Sequence, residues 1–379
     1  RRYKEMVTIN NISEASRIVI KVGSSLVTSK DGNINERFLD SIATDLLRLR
    51  EQNKEIIIVS SGAVSLGNEI NKDKKNLSLS ESQAASSIGQ IKLINGWKKS
   101  LENKGLNIAQ ILITADDTEN RRRYLNARST FEELLKNNYI PIINENDTVA
   151  TSEIRYGDND RLAARVAGML SADCLILLSN VDGLYSRDPK EEESYLIKEV
   201  SNLNDEIISM AGDASELGSG GMITKLEAAK ICMSVGSNMI IASGNNKEPL
   251  MSIEKGVNCT WFKPEGSSKN SLKVWLSGQL KPSGKIFADI GASKALLNGK
   301  SLLAAGVIGT DGNFDKGDTL VIFNDKNIEI ARGLSNYSSE DLNKIVGKKS
   351  KEIEVILGYM DKPEIIHRNN LVYSGEQES

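Results

Sequence analysis

Two short segments carry the residue types that a phosphate-binding site needs. Residues 218–225 read GSGGMITK, and residues 21–25 read KVGSS. Glycines allow backbone N–H groups to close on an anion, and a lysine adds a full positive charge. GSGGMITK lacks the spacing of a Walker A loop, in which four residues separate the first glycine from a Gly-Lys pair. The segment therefore predicts a phosphate site of another kind.

Lys21 is the lysine whose position most favours binding of an anion. It lies near the end of the apolar run RIVIKV at 17–22, where a charged side chain is costly unless its charge is used. Such a lysine can also simply extend into solvent. The glycine and the two serines that follow it, Ser24 and Ser25, favour the anion, because they supply close backbone approach and further hydrogen-bond donors.

Two other segments offer groups that can bind a small charged molecule. In SSGAV, Ser61 and Gly62 precede a predicted helix, whose first N–H groups can bind a carboxylate. NENDTV at 144–149 places Asp147 beside two asparagines, a set suited to an ammonium group or a carboxylate. Either segment alone could be an ordinary turn, so the inference rests on their occurring together.

The segment GDNDRLAARVAG at 157–168 has more polar residues than a helix start requires. Asp158 or Asn159 can cap the helix that follows, which accounts for one of them. Another carboxylate here, close to two lysines, would orient them through charge-assisted hydrogen bonds.

Six short apolar runs are predicted to be the strands that position these segments. Each run is continuous rather than alternating, so both of its faces should be buried. The runs are 17–22, 55–61, 107–113, 139–145, 174–180 and 238–243. Helical spacing separates them and is clearest at 35–52 and 223–236. The alternation predicts an α/β fold of right-handed β-α-β units around a mostly parallel sheet, with ligands beyond the carboxyl ends of the strands.

Composition divides the chain into five parts. Residues 1–16 are predicted to be an N-terminal extension, and the α/β domain covers 17–257. Proline, glycine and serine without a clear period mark 258–283 as a linker. Short segments punctuated by glycine and aspartate then predict a small β-rich domain with one or two helices at 284–362, and 363–379 is a polar tail.

Bulk composition excludes several classes of protein. The 379 residues are 39% hydrophobic and 26% charged, with a net charge of −3, which is ordinary for a globular protein and unlike a general nucleic-acid binder. The three cysteines form no CxxC pair, and the single histidine excludes histidine-based metal sites. No apolar stretch is long enough to span a membrane, and the N-terminus has no signal-peptide core, so we expect a cytoplasmic location.

Taken together, the motifs resemble the amino-acid kinase family, and within it the glutamate 5-kinases. The motifs, in family order over about 17–260, are IVIKVGSSL, IVSSGAV, LNARSTFEELL, PIINENDTVA, YGDNDRLAA, VDGLYSRDP and GSGGMITK. The later segment SLLAAGVIGTDGNFDKGD is similar to a PUA domain. The resemblance implies an amino-acid kinase-type three-layer αβα sandwich with a mostly parallel central sheet, followed by a small β-rich PUA domain.

The resemblance also implies an activity and its substrates. It implies ATP-dependent phosphorylation of the γ-carboxylate of L-glutamate, which is the first step of proline biosynthesis. ATP and Mg²⁺ are the implied cofactors, proline the implied inhibitor and a homo-oligomer the implied assembly. No metal-binding side chain is implied.

The family motifs assign roles to particular residues. Lys21 and Lys225 match the lysines that flank the transferred phosphoryl group, so KVGSS and GSGGMITK would be the two halves of the phosphate site, and Asp160 matches the carboxylate that organises them. The residues that match glutamate-binding positions are Ser61, Asp147 and Asn159. Those that match nucleotide-binding positions are Lys21, Ser179, Asn180, Ser219, Gly220, Gly221, Met222, Ile223, Thr224 and Lys225. Family members often have Thr-Asp in place of Ser179-Asn180.

Two other functions remain open from the sequence. One is an amino-acid kinase for another substrate, such as N-acetylglutamate or aspartate. The other is RNA binding through the PUA-like segment, which is disfavoured because 284–379 contains 12 Lys and Arg against 14 Asp and Glu. LNARSTFEELL at 125–135 could serve regulation or assembly, but an amphipathic core helix is the preferred interpretation.

Overall fold

The computed structural model of the chain describes residues 11–29, 31–68, 77–150, 159–211, 221–264, 282–360 and 362–373. The chain divides into two compact units, residues 1–120 with 126–269 and residues 121–125 with 270–379. Within the described residues, no helix combines the length and the apolar character needed to cross a membrane.

Strands form the centre of the first unit. In chain order they are β1 (Arg17–Val22), β2 (Glu55–Ser60), β3 (Ile108–Ile113), β4 (Ile140–Glu145), β5 (Cys174–Ser179), β6 (Leu184–Tyr185), β7 (Leu196–Ile197), β8 (Glu199–Val200), β9 (Asn238–Ser243) and β10 (Cys259–Phe262). Eight of them make one sheet in the order β3-β4-β2-β1-β5-β9-β10-β8, and β6 pairs with β7. All six predicted strands are present and pair in parallel, which confirms the mostly parallel sheet.

One prediction about these strands is wrong. β3 was expected to be buried on both faces, but it is the edge strand of the sheet. Gln110 is exposed, and 38% of Leu112 is accessible to solvent. In the other five runs the residues that form the strands are buried or half-buried, and each of these strands has a neighbouring strand on both sides.

Helices connect the strands. In chain order they are α1 (Ser24–Val27), α2 (Glu36–Glu51), α3 (Ala63–Gly67), α4 (Leu79–Glu102), α5 (Ala115–Glu119), α6 (Arg121–Lys136), α7 (Asn159–Met169), α8 (Asp205–Ser209), α9 (Met222–Ser234) and α10 (Pro249–Glu254). The helices predicted at 35–52 and 223–236 correspond to α2 and α9. Gly236 follows the end of α9 with φ +72°, a left-handed conformation that glycine adopts without strain.

The side chains of β1 alternate between two helical layers. Ile18 and Ile20 belong to a core that includes Leu46 of α2 and Trp97 of α4. Val19 and Lys21 therefore point to the opposite face, where α7 packs against β1 and against α9. The sheet thus lies between two layers of helices, and Lys21 shares a layer with α7 and α9.

Helices α3 and α4 cross at very short range. A Cβ atom built on Gly89 would lie 1.8 Å from the carbonyl oxygen of Ala63, and one built on Gly67 would lie 1.8 Å from that of Ala85. Only hydrogen atoms fit at these two positions. The crossing fixes α3 directly after the Ser61-Gly62 turn that ends β2.

Replacing Gly89 by alanine should therefore destabilise the first unit by about 1–3 kcal/mol, because the backbone of α3 must move to admit the methyl group. Urea unfolding would measure the loss. Gly168→Ala in α7 is the matched control, since its Cβ would meet Val235 at an ordinary 3.5 Å and alanine favours a helix. Equal stability of the two variants would contradict the close crossing.

The second unit contains a five-stranded sheet and three helices. Its strands are β11 (Gly284–Ala288), β12 (Leu302–Leu303), β13 (Val307–Asp311), β14 (Thr319–Phe323), β15 (Glu329–Leu334), β16 (Glu364–Ile366) and β17 (Leu371–Tyr373). Its helices are α11 (Ile290–Leu297), α12 (Ser339–Ile345) and α13 (Ser350–Leu357). The larger sheet has the order β13-β11-β14-β15-β17, and β12 pairs with β16. The unit is β-rich as predicted, with three described helices rather than one or two.

Regular structure extends into three regions where the sequence did not predict it. Ile12 of the expected extension is fully buried in the main core. Cys259–Phe262, placed in the linker, form β10 and pair with β9 and β8. Strands β16 and β17 lie in the expected tail. The three strands β10, β16 and β17 are only three or four residues long, so their periodicity is too short to identify them, and pairing with other strands stabilises them.

Candidate active site

A cavity of about 1290 Å³ lies at the carboxyl ends of the parallel strands. Residues from KVGSS, SSGAV, NENDTV, GDND, SNVDG and GSGGMITK all line it. They include Lys21, Gly23, Ser24, Ser25, Ser61, Gly62, Asn144, Asp147, Asn159, Ser179, Asn180, Gly221, Met222 and Lys225. The fold therefore brings together segments that are far apart in the sequence.

Two lysines and one carboxylate form the most buried charged group at this cavity. Lys21 Nζ lies 2.7 Å from Asp160 Oδ1, and Lys225 Nζ lies 3.0 Å from Asp160 Oδ2. Lys21 comes from the end of β1, Asp160 from the first turn of α7 and Lys225 from the first turn of α9. The three residues are 7%, 1% and 5% exposed, respectively. The carboxylate of Asp160 thus lies between the two ammonium groups, with one paired to each oxygen.

The charge of Asp160 is maintained by its partners. Burial alone would raise the pKa of this carboxyl group, but the positive charges of Lys21 and Lys225 and their hydrogen bonds outweigh burial and lower the pKa to about 2. Asp160 is therefore ionised at neutral pH and supplies a negative charge to both lysines.

Thr224 adds a third hydrogen bond to the same carboxylate. Its hydroxyl group lies 2.9 Å from Asp160 Oδ2 and also 2.9 Å from the carbonyl oxygen of Gly221. Thr224 thus ties the start of α9 to α7. The sequence placed Thr224 among nucleotide-binding residues, whereas in the structure its side chain contacts the carboxylate that holds the lysines.

A second polar group beside the triad consists of amides. Asn159 Nδ2 donates to Ser61 Oγ at 2.7 Å and to Asn144 Oδ1 at 3.1 Å. Asn159 is only 5% exposed, and its Oδ1 atom has no hydrogen-bond partner within the part of the chain that the structure describes. A buried carbonyl oxygen without a donor is costly, so this atom is prepared to accept a hydrogen bond from a ligand.

Asp147 supplies a carboxylate on the same side of the cavity. Its Oδ2 atom accepts a hydrogen bond from Ser86 at 2.5 Å. Burial raises the pKa of Asp147, and the hydrogen bond from Ser86 partly opposes that rise. A cationic group of a ligand would favour the ionised form of this half-buried carboxylate.

Gly62 shapes the wall between these groups. It precedes α3 with φ +118° and ψ −6°, which an L side chain rarely adopts. This glycine conformation turns the chain sharply after β2, so that both Ser61 and Gly62 line the cavity.

The predicted nucleotide-binding residues fall into three groups. Ser179 and Asn180 at the end of β5, and Gly221, Met222 and Lys225 at the start of α9, line the cavity. Ile223, which is 37% exposed, and Thr224 are not among the lining residues. Ser219 and Gly220 lie outside the described residues.

The sequence analysis missed residues on α4 and three lining carboxylates, Glu145, Asp182 and Asp188. Ser82 and Asp182 line the cavity, Ser86 donates to Asp147, and Gln90 accepts from Asn144. The three α4 residues are spaced four apart, so a polar stripe on one helix face could have indicated them. Asp182 lies within VDGLYSRDP, two residues beyond the Ser179-Asn180 pair that lacks the usual carboxylate.

Comparison with known proteins gives two family matches. Residues 16–243 match the model of the amino acid kinase family, and residues 284–357 match that of the PUA domain. Among solved structures, carbamate kinase from Giardia lamblia bound to AMP-PNP is similar, with a TM-score of 0.49 and 15% identity, covering 67% of this chain and 100% of that one.

Curated relatives match over almost the whole length. Glutamate 5-kinase of Paramagnetospirillum magneticum is 48% identical over 367 residues, which cover 96% of this chain and 99% of that protein. Glutamate 5-kinase of Agrobacterium fabrum is 48% identical over 372 residues, or 97% and 96% of the two chains. The chain therefore belongs to the amino acid kinase family and carries a PUA domain after its kinase domain.

Proposed function

We propose that this protein transfers the γ-phosphoryl group of ATP to the γ-carboxylate of L-glutamate, giving L-glutamyl 5-phosphate, the first step of proline biosynthesis. The observation that carries the proposal is the buried Lys21-Asp160-Lys225 triad beside a cluster of amides in one cavity. Its curated relatives named glutamate 5-kinase support the choice of substrate.

The chemistry matches the groups present. A γ-carboxylate is already ionised at neutral pH, so its attack on phosphorus needs no general base. The difficulty is the approach of one anion to another. Lys21 and Lys225 can both contact the transferred phosphoryl group, because Asp160 holds them from one side. Fixed positive charges stabilise the charge that spreads over the phosphoryl oxygens in the transition state.

The amide cluster and Asp147 are suited to an amino acid. Asn159 Oδ1 and the Asp147 carboxylate can accept hydrogen bonds from an α-ammonium group. Ser61, at the turn before α3, can donate to a carboxylate. Aspartate has a shorter side chain and N-acetylglutamate has no ammonium group, so each would leave one of these contacts unmade.

We propose that Mg²⁺ enters the site bound to ATP. Magnesium is held largely by phosphate oxygens and water, with one or two protein carboxylates. Asp160 is already engaged by two lysines, whereas Asp182 offers a carboxylate on the cavity wall. The residues present therefore fit a metal ion delivered with the nucleotide.

The test is an assay of ATP consumption with purified protein and Mg²⁺, in which hydroxylamine traps the acyl phosphate as a hydroxamate. We expect hydroxamate with L-glutamate and little with aspartate or N-acetylglutamate. Turnover with another amino acid, and none with glutamate, would retain the fold but overturn the substrate. Proline should lower the rate of hydroxamate formation, because we propose that it binds at or beside the glutamate site.

Two wider properties follow as proposals. A homo-oligomer is supported by apolar surface near the edge of the sheet, where Ile91 of α4 is 64% exposed and Leu112 of β3 is 38% exposed. A cytoplasmic location is supported by the use of ATP and by three cysteines that are all buried and free. RNA binding is not proposed, because residues 284–379 contain 12 Lys and Arg against 14 Asp and Glu and so lack the basic excess that attracts an RNA backbone.

A further inference from the structure

Three side-chain amides form a chain of hydrogen bonds that leads from α4 to the cavity. Asn144 Nδ2 donates to Gln90 Oε1 at 2.8 Å, and Asn159 Nδ2 donates to Asn144 Oδ1 at 3.1 Å. Asn144 and Asn159 line the large cavity, but Gln90 does not. Gln90 is therefore the outer end of the chain and lies behind the residues that face a substrate.

The amides in this chain must share one direction. Each link joins an NH₂ group to a carbonyl oxygen, so reversing one amide would place two donors or two acceptors against each other. In the present direction, both Asn159 hydrogen bonds use Nδ2, and Oδ1 is left as a buried acceptor without a partner within the described residues. In the reverse direction, the Asn159 amide would leave an NH₂ group without a partner at that position instead.

The surroundings of Gln90 favour the present direction. Gln90 lines a small cavity of about 340 Å³ together with Glu145 and Asp147. An amide NH₂ group is stabilised when it faces carboxylates, and an amide oxygen is not. The negative charge of this cavity therefore leaves Gln90 Oε1 available for Asn144.

We infer that Gln90 is a positioning residue, which sets the direction of the amide chain and thereby makes Asn159 present an acceptor to the ammonium group of the substrate. The inference rests on the proposed function, because it assigns the specificity of that same site. Without an acceptor at position 90, the Asn144-Asn159 pair can reverse without losing a hydrogen bond, since Ser61 can donate as well as accept. Preference for an ammonium-bearing substrate would then be lost, although Gln90 does not contact the substrate.

The test compares L-glutamate with glutarate, which has both carboxylates and no ammonium group. Gln90→Met keeps the length and helix preference of the side chain but removes the acceptor. We expect the ratio of kcat/KM for glutamate to that for glutarate to fall about tenfold, with the KM for ATP unchanged. Gln52→Met, an exposed position between the end of α2 and the amino end of β2, is the matched control and should keep the ratio.

A second variant separates positioning from packing. Gln90→Glu retains an acceptor for Asn144, so its ratio should equal or exceed that of the original protein even if both rates fall. An unchanged ratio in Gln90→Met, or an equal fall in Gln90→Glu, would overturn the inference, because a purely structural role affects both substrates alike.

Calorimetric binding of the two dicarboxylates to the same proteins keeps the test independent of turnover. If the original protein fails to phosphorylate glutamate, the proposed function is wrong, but its preference for binding glutamate over glutarate still tests Asn159. Equal binding of both ligands by the original protein would overturn the inference. A preference that is weakened in Gln90→Met and kept in Gln90→Glu would support it.

Discussion

Replacing Lys21 or Lys225 by alanine should lower kcat for glutamate phosphorylation by at least about a few hundredfold. Each lysine is buried and held within 3.0 Å of Asp160. A cation from the solvent therefore does not take the place of a lysine that has been removed. Removing one preorganised stabiliser of a developing negative charge costs roughly 3–4 kcal/mol in the transition state. Initial rates of hydroxamate formation at saturating ATP and glutamate measure the effect.

Lys99→Ala is the matched control for these two variants. Its side chain is 65% exposed, and its ammonium group pairs with Glu36 at 2.8 Å on the surface, so kcat should stay within about twofold of the original value. Melting temperatures of all three variants show whether a loss of rate reflects unfolding. Near-normal turnover in a folded Lys21→Ala or Lys225→Ala protein would exclude that lysine from the transfer step.

The elements that sequence predicted well are those in which local pattern and burial agree. The runs at 17–22 and 238–243 became β1 and β9 with those same bounds, because continuous β-branched and apolar residues suit a central parallel strand. Lys21 could be identified because a charge at the end of such a strand is costly unless it is used.

The features that sequence did not predict depend on contacts between distant segments. The edge position of β3 follows from the order of strands, which a single sequence does not contain. Gln90 lies 54 residues from Asn144, its hydrogen-bond partner. Thr224 lies next to Lys225 and looked like part of a phosphate loop, yet its hydroxyl group bonds to Asp160. In each case the tertiary partner, and not the local motif, determines what the side chain does.

Asp160→Asn should be among the most destabilising single changes in the first unit. The substitution leaves two buried ammonium groups without a counter-charge, and breaking a buried ion pair in this way costs about 3–5 kcal/mol. Urea unfolding at pH 7 measures this loss in the free energy of unfolding. Glu36→Gln, which breaks an exposed pair with Lys99, is the control and should cost less than about 1 kcal/mol.

The same carboxylate predicts how stability depends on pH. Its pKa is about 2 in the folded protein and about 3.9 in an unfolded chain. A lowered pKa means that ionisation favours folding, so this contribution is complete above about pH 4 and is lost as the pH falls toward 2. The contribution amounts to roughly 2–3 kcal/mol. Asp160→Asn should lack this part of the acid sensitivity, and an unchanged pH profile would contradict the assigned pKa.

A double variant distinguishes the charge imbalance from a loss of packing. Removing Lys21 together with the carboxylate, as Asp160→Asn with Lys21→Met, leaves one buried ammonium group in place of two. Stability should then recover by about 1 kcal/mol or more relative to the sum of the two single losses. Hydroxamate formation should stay as low as in the single variants, because the transferring phosphoryl group still lacks one lysine. Additive losses of stability would show that the three side chains do not act as one electrostatic unit.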